Sequence, residues 1–389
     1  MFSGVASRLP GTTNPLYRLR AQLEKQGERI VDLISGNVTE HGISFPQPPL
    51  EEILLAASRR SQVYRPDPFG QQGARKAVAA YYEAHGVPIT SEQVLLTPGT
   101  SISYWYCFKL LANEGEEILC PRPSYPLFDY IAALSGVRMV QYLLREPRSW
   151  AIDLEDLEAR ISTKTRAVIL LSPHNPTGHV ASEDEIEKLA EIASRHRLAI
   201  LSDEVFSEFH LKNGTVPRAG RCAAPLVLTL NGISKMFALP GHKLGWMAVS
   251  GEKGNIAQAL TALELISDTF LPVSELIQAA APALFQDGGE FLRHYVAEIR
   301  KRYETARDLL RGCSRIRISE PEGGFYMTLQ LEDLEEERAA EEILKREKIL
   351  LHPGHYYDIP PHHLVLSFVQ KSEALRETLP RLLAVLDNL

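Results

Sequence analysis

The sequence predicts an α/β protein in which a mainly parallel sheet is buried between helices and a smaller α+β domain follows. Between about residues 50 and 285, short apolar runs alternate with helical stretches. These runs occupy residues 93–97, 117–120, 167–172, 199–202, 227–230 and 246–250. Such a pattern is typical of parallel strands covered on both faces. From about residue 286, long charged helices and a few strands replace it.

The two ends of the chain complete the predicted architecture. The elements predicted for the amino-terminal part are a helix over 16–26, a strand over 29–34 and a turn over 35–37. Those predicted for the carboxyl-terminal part are helices over 290–313, 334–347 and 372–386 and strands over 323–330 and 364–368. The expected domains are an amino-terminal arm with part of the small domain (1–45), a large domain (46–285) and a small carboxyl-terminal domain (286–389).

Composition and charge narrow the class of protein. The 389 residues are 44% hydrophobic and 23% charged, which is ordinary for a globular chain long enough for two domains. No apolar run reaches the roughly 18 residues of a membrane span, and the amino terminus lacks the apolar stretch of a secretory signal. The net charge of −7 disfavours a nucleic-acid-binding surface. We therefore expect a cytoplasmic protein without nucleic-acid or membrane partners.

The cysteines indicate neither a disulfide framework nor a metal site. They are scattered and share no Cys-x-x-Cys spacing; their positions are Cys107, Cys120, Cys222 and Cys313. Reduced thiols and the absence of a bound metal are the expectation.

Lys235 is the first candidate catalytic residue. It follows the apolar run 226–230 in a turn that begins Ser234-Lys235 and continues to Gly245. A lysine in a loop is most often a solvated surface charge. In this setting, however, its amine can form a Schiff base with an aldehyde cofactor, and Lys243, eight residues later, can meet a phosphate.

Three further motifs change the interpretation of this lysine. They are Thr-Pro-Gly-Thr-Ser at 97–101, His-Asn-Pro-Thr-Gly at 174–178 and Asp-Glu-Val-Phe at 203–206. Each motif follows a predicted strand, and ligands of parallel sheets bind outside the carboxyl ends of the strands. With the Lys235 turn, in this order and spacing, they resemble the aspartate aminotransferase superfamily of pyridoxal 5′-phosphate (PLP) enzymes. The bacterial alanine-aminotransferase-like subgroup is the most similar.

The resemblance implies the PLP-transferase fold type I, with a mainly parallel seven-stranded sheet in the large domain. It also implies PLP as the cofactor and a homodimer with shared active sites. Lys235 would hold the cofactor as an internal aldimine and later move the proton between the substrate Cα and the cofactor C4′. Asp203 would keep the pyridine nitrogen protonated, and Asn175 would donate to the ring 3′ oxygen.

The resemblance also assigns the remaining cofactor contacts. Tyr125 would stack against the ring, although an aromatic in a proline-rich turn more often serves packing. Phe206 would lie beside the ring, where most relatives have a tyrosine hydroxyl. The phosphate would be bound by the start of the helix predicted over 102–111 and by a hydroxyl from the neighbouring subunit. The residues expected at the phosphate are Gly99, Thr100, Ser101, Lys243 and, from the neighbouring subunit, Tyr64; Ser234 is a further expected cofactor contact.

One departure from the family bears directly on the substrate. Relatives use an arginine in the last strand to bind the substrate α-carboxylate, and Val365 stands at that position. Either another cation takes over or the substrate lacks a carboxylate there. The candidate cations are Arg18, Arg20, His352, His355, His362 and His363.

The resemblance favours a PLP-dependent aminotransferase that moves an amino group between an amino acid or amine and a keto acid. It would work by a ping-pong mechanism through the Lys235 aldimine. Val365 and Phe206 keep a second interpretation open, in which the cofactor serves a lyase or other carbanion chemistry. A PLP-sensing regulatory domain is disfavoured, because about 45 residues before the fold are too few for a DNA-binding domain.

Overall fold

The fold combines one large sheet, one small sheet and the helices that cover them. A computed structural model describes residues 1, 4–5, 14–146, 149–212 and 214–389. The strands are β1 (Val31–Asp32), β2 (Val94–Thr97), β3 (Glu117–Arg122), β4 (Arg138–Arg145), β5 (Ala151–Ile152), β6 (Thr165–Leu171), β7 (Ala199–Asp203), β8 (Leu226–Gly232), β9 (Gly245–Gly251), β10 (Ile316–Ser319), β11 (Tyr326–Leu331), β12 (Ile349–Leu350), β13 (His352–Pro353) and β14 (His363–Ser367).

The helices follow the predicted alternation. Those used below are α1 (Pro15–Lys25), α2 (Gln47–Arg60), α3 (Gln72–Ala84), α4 (Thr100–Leu111), α5 (Leu127–Ser135), α6 (Leu154–Ala159), α7 (Glu183–His196), α8 (Ile233–Met236), α9 (Lys253–Asp268), α10 (Glu275–Asp287), α11 (Gly289–Leu310), α12 (Glu336–Glu347) and α13 (Ser372–Asp387). In the described part of the chain, no helix has both the length and the apolar character needed to cross a bilayer.

The large sheet has the order β2-β9-β8-β7-β6-β3-β4-β5. Strands β8, β7, β6, β3 and β4 run parallel, β9 is antiparallel to both of its neighbours, and β5 is antiparallel to β4. The prediction of a mainly parallel sheet is confirmed. The predicted count of seven strands is wrong by one, because β5, with two residues, extends the sheet beyond β4.

Alternating side chains of the central strands bury both faces of the large sheet. Ala167, Ile169 and Leu171 of β6 pack with α4 and α5, whereas Val168 and Leu170 pack with α7. Because both faces are apolar, these strands read as continuous hydrophobic runs, and for that reason they are visible in the sequence. Strand β4 was not among the predicted runs, since its residues are mostly half-buried and mixed in polarity.

The small sheet has the order β10-β11-β14-β13 and is antiparallel throughout. One face packs under α11, α12 and α13 in a core that also takes in Leu16, Leu23 and Leu33 from the amino-terminal segment. That segment is held further by parallel pairing of β1 with β12. The predicted carboxyl-terminal elements agree with the observed bounds to within about three residues.

A buried arginine fixes the segment that follows β7. The Arg218 guanidinium is 4% exposed and lies 2.8 Å from Glu204 Oε2 and 3.0 Å from Glu208 Oε1. It also donates to the Tyr81 hydroxyl at 2.9 Å, which ties this segment to α3. Arg218 thereby holds the residues next to Asp203 in one arrangement.

Replacing Arg218 by Met should destabilise the fold by about 3–5 kcal/mol, because Glu204 would remain buried without its partner. Urea unfolding followed by tryptophan fluorescence measures the change. Arg221→Met is the matched control, since Arg221 is exposed on the same segment and should change stability by less than about 0.5 kcal/mol. Equal unfolding midpoints for Arg218→Met and the wild type would contradict this role.

Candidate active site

The carboxyl ends of the parallel strands open onto one cavity. Leu171 pairs in register with Asp203, and Asp203 pairs with Leu230, so the segments after β6, β7 and β8 emerge at the same edge. The cavity measures about 180 Å³. The residues that line it are Gly99, Thr100, Ser101, Tyr104, Tyr125, Leu127, Phe128, Ile131, Leu171, Asn175, Asp203, Val205, Phe206, Gly232, Ser234, Lys235 and Tyr326. Nine of the eleven residues predicted for the cofactor are in this set.

The Lys235 amine lies in apolar surroundings. It belongs to the short helix α8 directly after β8, and its Nζ donates to the Gly36 carbonyl at 3.4 Å. The same Nζ is 5.6 Å from the ring centroid of Phe206 and 5.7 Å from that of Phe325. Burial lowers the pKa of Lys235 to about 8. A larger fraction of this amine is therefore uncharged and nucleophilic near neutral pH than for an exposed lysine.

The Asp203 carboxyl group is buried at the end of β7. It accepts hydrogen bonds from the Tyr104 hydroxyl at 2.8 Å and from the Val205 amide at 3.1 Å. Burial outweighs these bonds and raises its pKa to about 6. Among the ion pairs of the described residues, none involves Asp203. A cationic ring nitrogen placed beside it would supply the missing partner.

Asn175 presents an unused polar atom to the cavity. Its Oδ1 is buried and has no hydrogen-bond partner within the described chain. Buried amide groups are nearly always satisfied, so this atom is available to bind a ligand or an ordered water. The side-chain amide, in either orientation, offers a contact for the ring oxygen of PLP.

The start of α4 forms an anion cradle. Gly99 has φ +121° at the helix entrance, and its carbonyl accepts from the amides of Ile102 and Ser103. The amides of Thr100 and Ser101 precede the first possible helical acceptor and remain available for a phosphate. A Cβ on Gly245 would lie 2.9 Å from the Gly99 Cα, so the close approach of β9 to this turn requires glycine.

Two aromatic side chains and one hydroxyl complete the predicted contacts. Tyr125 is 38% exposed and lines the cavity from the turn before α5. Phe206 is buried, packs 4.9 Å from the Phe325 centroid, and brings no hydroxyl to the site. Ser234 lines the cavity next to Lys235. The functional groups of PLP fit the Lys235 amine, the Asp203 carboxyl group, the Asn175 amide and the cradle at the start of α4.

Two predicted cofactor residues do not line the cavity. Lys243 is exposed in a left-handed turn with φ +51°, two residues before Gly245. Tyr64 is 69% exposed on the loop between α2 and α3. An exposed position is what a contact to the site of a neighbouring subunit requires, and that role of Tyr64 stays a prediction.

The six candidate cations do not reach the cavity. Val365 is buried in β14, and the described lining residues contain no cation except Lys235. Arg20 pairs with Asp32 and Glu24, whereas Arg18 is exposed on α1. The histidines are each engaged elsewhere: His352 with two tyrosines, His355 with Glu336, His362 with the Leu334 carbonyl and His363 with Glu146.

Three of the residues that sequence reasoning missed at the site bear on its polar contacts. Tyr104 bonds to Asp203, Tyr326 lines the cavity, and Gly36 accepts from Lys235. A Cβ on Gly36 would lie 2.5 Å from the Tyr326 hydroxyl, which explains the glycine. Only Tyr104 could have been inferred from the sequence, because it lies one helical turn after Thr100 and on the same face of the helix.

The pH dependence of stability tests the burial of Asp203. Its folded pKa lies above 3.8, so stability present below pH 3.8 is lost as the pH rises through about 6. In the cofactor-free protein, Asp203→Asn should therefore be more stable than the wild type by about 3 kcal/mol at pH 7.5. The gain should shrink toward pH 4 in urea titrations. The exposed control Asp268→Asn should show no such trend, and a pH-independent gain for Asp203→Asn would contradict the assignment.

Comparisons with known proteins show the family of the chain. Residues 30–382 match the family described as aminotransferase class I and II. Glutamate-pyruvate aminotransferase AlaA of Haemophilus influenzae is 30% identical over 389 residues, covering 95% of this chain and 94% of the relative. Alanine aminotransferase of Mycobacterium bovis is 30% identical over 387 residues, covering 95% and 88%.

The structural comparison shows a shared fold. The solved structure of alanine aminotransferase from Pyrococcus furiosus superposes with a TM-score of 0.93 over 100% of both chains, at 23% identity. The fold and the sequence matches agree over nearly the whole length. The chain therefore belongs to the class I and II aminotransferase family.

Proposed function

We propose that the chain is a PLP-dependent aminotransferase that moves an amino group between an amino compound and a keto acid in ping-pong half-reactions. The observation that carries the proposal is the half-buried Lys235 amine, which shares one cavity with the Asp203 carboxyl group and the unpartnered Asn175 Oδ1. The relatives named as alanine and glutamate-pyruvate aminotransferases support amino transfer.

Each functional group of the cofactor has a proposed partner in the chain. Lys235 Nζ would bond to the aldehyde carbon, Asp203 would pair with the ring nitrogen, and Asn175 would contact the ring oxygen. Tyr125 would stack on the ring. The phosphate would occupy the cradle of Gly99, Thr100 and Ser101, with Ser234, Lys243 and the neighbouring subunit's Tyr64 in support. When bound, the cofactor supplies an electron-accepting ring that stabilises negative charge on the substrate Cα.

Lys235 is also the proposed proton carrier. Its lowered pKa leaves a free amine able to take a proton from the substrate Cα once the lysine is released. The rings of Phe206 and Phe325 lie beside the amine, with centroids 5.6 and 5.7 Å from Nζ, and the Gly36 carbonyl accepts its hydrogen bond.

A β-eliminating lyase is the second candidate. The absent hydroxyl at Phe206 and the absent cation at Val365 favour it over a standard amino-acid transaminase. Amino donors separate the two reactions, because a transaminase converts bound PLP to its amine form, whereas a lyase releases pyruvate and ammonia. The names of the relatives favour amino transfer.

We also propose the domain division 1–45, 46–285 and 286–389, and a homodimer in which Tyr64 completes the site of the other subunit. The shared core of the amino-terminal segment with α11–α13 supports joining residues 1–45 to the small domain. The exposure of Tyr64 supports the dimer.

Replacing Lys235 by Ala should abolish covalent cofactor attachment and lower turnover by at least about a hundredfold, because both amine roles are lost. Borohydride reduction followed by peptide mass mapping should place the label on Lys235 in the wild type and nowhere in the variant. Lys253→Ala, an exposed lysine at the start of α9, should keep both label and turnover. A label on any other residue would refute the assignment.

Replacing Tyr64 by Phe should weaken PLP binding by about tenfold, since one hydrogen bond to a charged group is lost. Equilibrium dialysis of protein that has not been treated with borohydride measures the dissociation constant of PLP. Sedimentation at falling protein concentration gives the second readout, because cofactor should be lost as the subunits separate. A monomer that keeps PLP and full activity would contradict a shared site.

A further inference from the structure

The Asp203 carboxyl group receives one donor on each of its two oxygens. Its Oδ1 accepts from the Val205 amide at 3.1 Å, and its Oδ2 accepts from the Tyr104 hydroxyl at 2.8 Å. Two donors on different oxygens fix the rotation of a carboxyl group about its Cβ–Cγ bond. The Val205 amide belongs to the segment that follows β7, whereas Tyr104 reaches Asp203 from α4, 99 positions earlier in the chain. The bond to Tyr104 is therefore a contact between separate elements.

Packing holds the Tyr104 ring in place. The side chain is 3% exposed and lines the cavity that contains Lys235. Its ring meets Phe128 of α5 edge to face, with centroids 5.0 Å apart, and lies 6.0 Å from Phe108 of its own helix. Phenylalanine could make the same ring contacts without burying a hydroxyl group, and burial of a hydroxyl costs free energy unless the group is hydrogen-bonded. Packing alone therefore does not explain the hydroxyl.

The Tyr104 hydroxyl is a donor at neutral pH. Burial, followed by the charge of Asp203, raises the pKa of Tyr104 well above its ordinary value, so the phenol keeps its proton. Such a donor favours the charged carboxylate and works against the burial that raises the pKa of Asp203. The other titratable groups near Asp203 in the described chain are Tyr125, Lys235 and Glu204, of which Glu204 is paired with Arg218.

Asp203 would share one proton with the ring nitrogen of a bound cofactor. The more the protein stabilises the charged carboxylate, the more weakly that group competes for the shared proton. We propose that Tyr104 is a positioning residue for the cofactor: its hydroxyl fixes the Asp203 carboxylate and keeps the shared proton on the ring nitrogen. This inference rests on the proposed function, because it needs PLP in the cavity. It gives α4 a second role besides the phosphate cradle at its start.

The titration of Asp203 in the cofactor-free protein tests the effect of the hydroxyl on the carboxylate. The stability gained by Asp203→Asn should stop increasing near pH 6 in the wild type. It should stop about 1 pH unit higher in Tyr104→Phe, because loss of the donor raises the pKa of Asp203 further. Urea unfolding from about pH 4 to about pH 8 gives the two curves.

A buried tyrosine of the same helix provides the matched control. Tyr106→Phe removes a hydroxyl that lies outside the lining of the cavity, and it should leave the Asp203 curve unchanged. Equal curves for Tyr104→Phe and the wild type would overturn the role of the hydroxyl.

A stronger donor at position 104 gives the opposite shift and a test that does not need Tyr104→Phe to fold. Site-specific incorporation of 3-fluorotyrosine keeps the ring and the hydroxyl but makes the phenol more acidic and hence a better donor. The Asp203 curve should then level off at a lower pH than in the wild type. A curve that stays in place or moves to higher pH would contradict the proposal.

The protonation of the ring nitrogen tests the effect on the cofactor. With PLP that carries nitrogen-15 in the ring, the nitrogen chemical shift of the wild type should be that of a protonated ring at neutral pH. In Tyr104→Phe it should move toward the unprotonated value, and in Tyr106→Phe it should match the wild type. An identical chemical shift in Tyr104→Phe and the wild type would overturn the proton-holding role.

Amino donors separate this inference from the proposed function. If L-alanine and L-glutamate leave bound PLP unchanged while both effects of the Tyr104 hydroxyl are seen, amino transfer fails and the role of Tyr104 stands. If either donor converts PLP to its amine form but Tyr104→Phe matches the wild type in the titration and in the chemical shift, amino transfer stands and the role of Tyr104 fails.

Discussion

The parallel register of three neighbouring strands is the constraint on which the site depends. Because Leu171, Asp203 and Leu230 lie side by side on β6, β7 and β8, the segments after these strands leave the sheet at one edge. Asn175 and Lys235 follow within five residues of their strands, so short connections leave them little freedom to move away. A slip of one residue in β7 would turn Asp203 toward the opposite face of the sheet and separate the carboxyl group from the amine.

Charged side chains around the site form ion pairs, whereas the charged groups inside the cavity have no ion-pair partner among the described residues. Arg218 pairs with two glutamates of the segment that follows β7, and these ion pairs hold the segment in one arrangement. Inside the cavity, burial shifts the pKa of Asp203 upward and that of Lys235 downward, because neither group has an opposing partner in the described residues. Burying these two groups without partners lowers the stability of the cofactor-free fold, and a bound cofactor would supply the partners. The surrounding ion pairs hold the geometry of the site when the cofactor is absent.

Local sequence signals predicted most of the fold and about half of the site, namely the half that carries the proposed catalytic groups. Strands buried on both faces could be recognised in the sequence; Asp203 ends one of them, and Lys235 and Asn175 follow two others within four residues. Tyr326 and Gly36 could not be inferred, since their contacts depend on packing between segments far apart in the chain. The consequence of Val365 for substrate binding could not be inferred from the sequence either. Whether another cation replaces the arginine depends on the register of three strands and on the partners of each histidine, which no local pattern encodes.

The contact between Lys235 and Gly36 links the site to the order in which the chain is assembled. Gly36 follows β1, and β1 pairs with β12, so Val31 meets Ile349 across most of the sequence. During synthesis the large sheet can form while the amino-terminal segment still lacks its partner strand. We therefore expect the Gly36 carbonyl to reach Lys235 only after β12 has been synthesised, because a contact between such distant segments has a large entropic cost of closure.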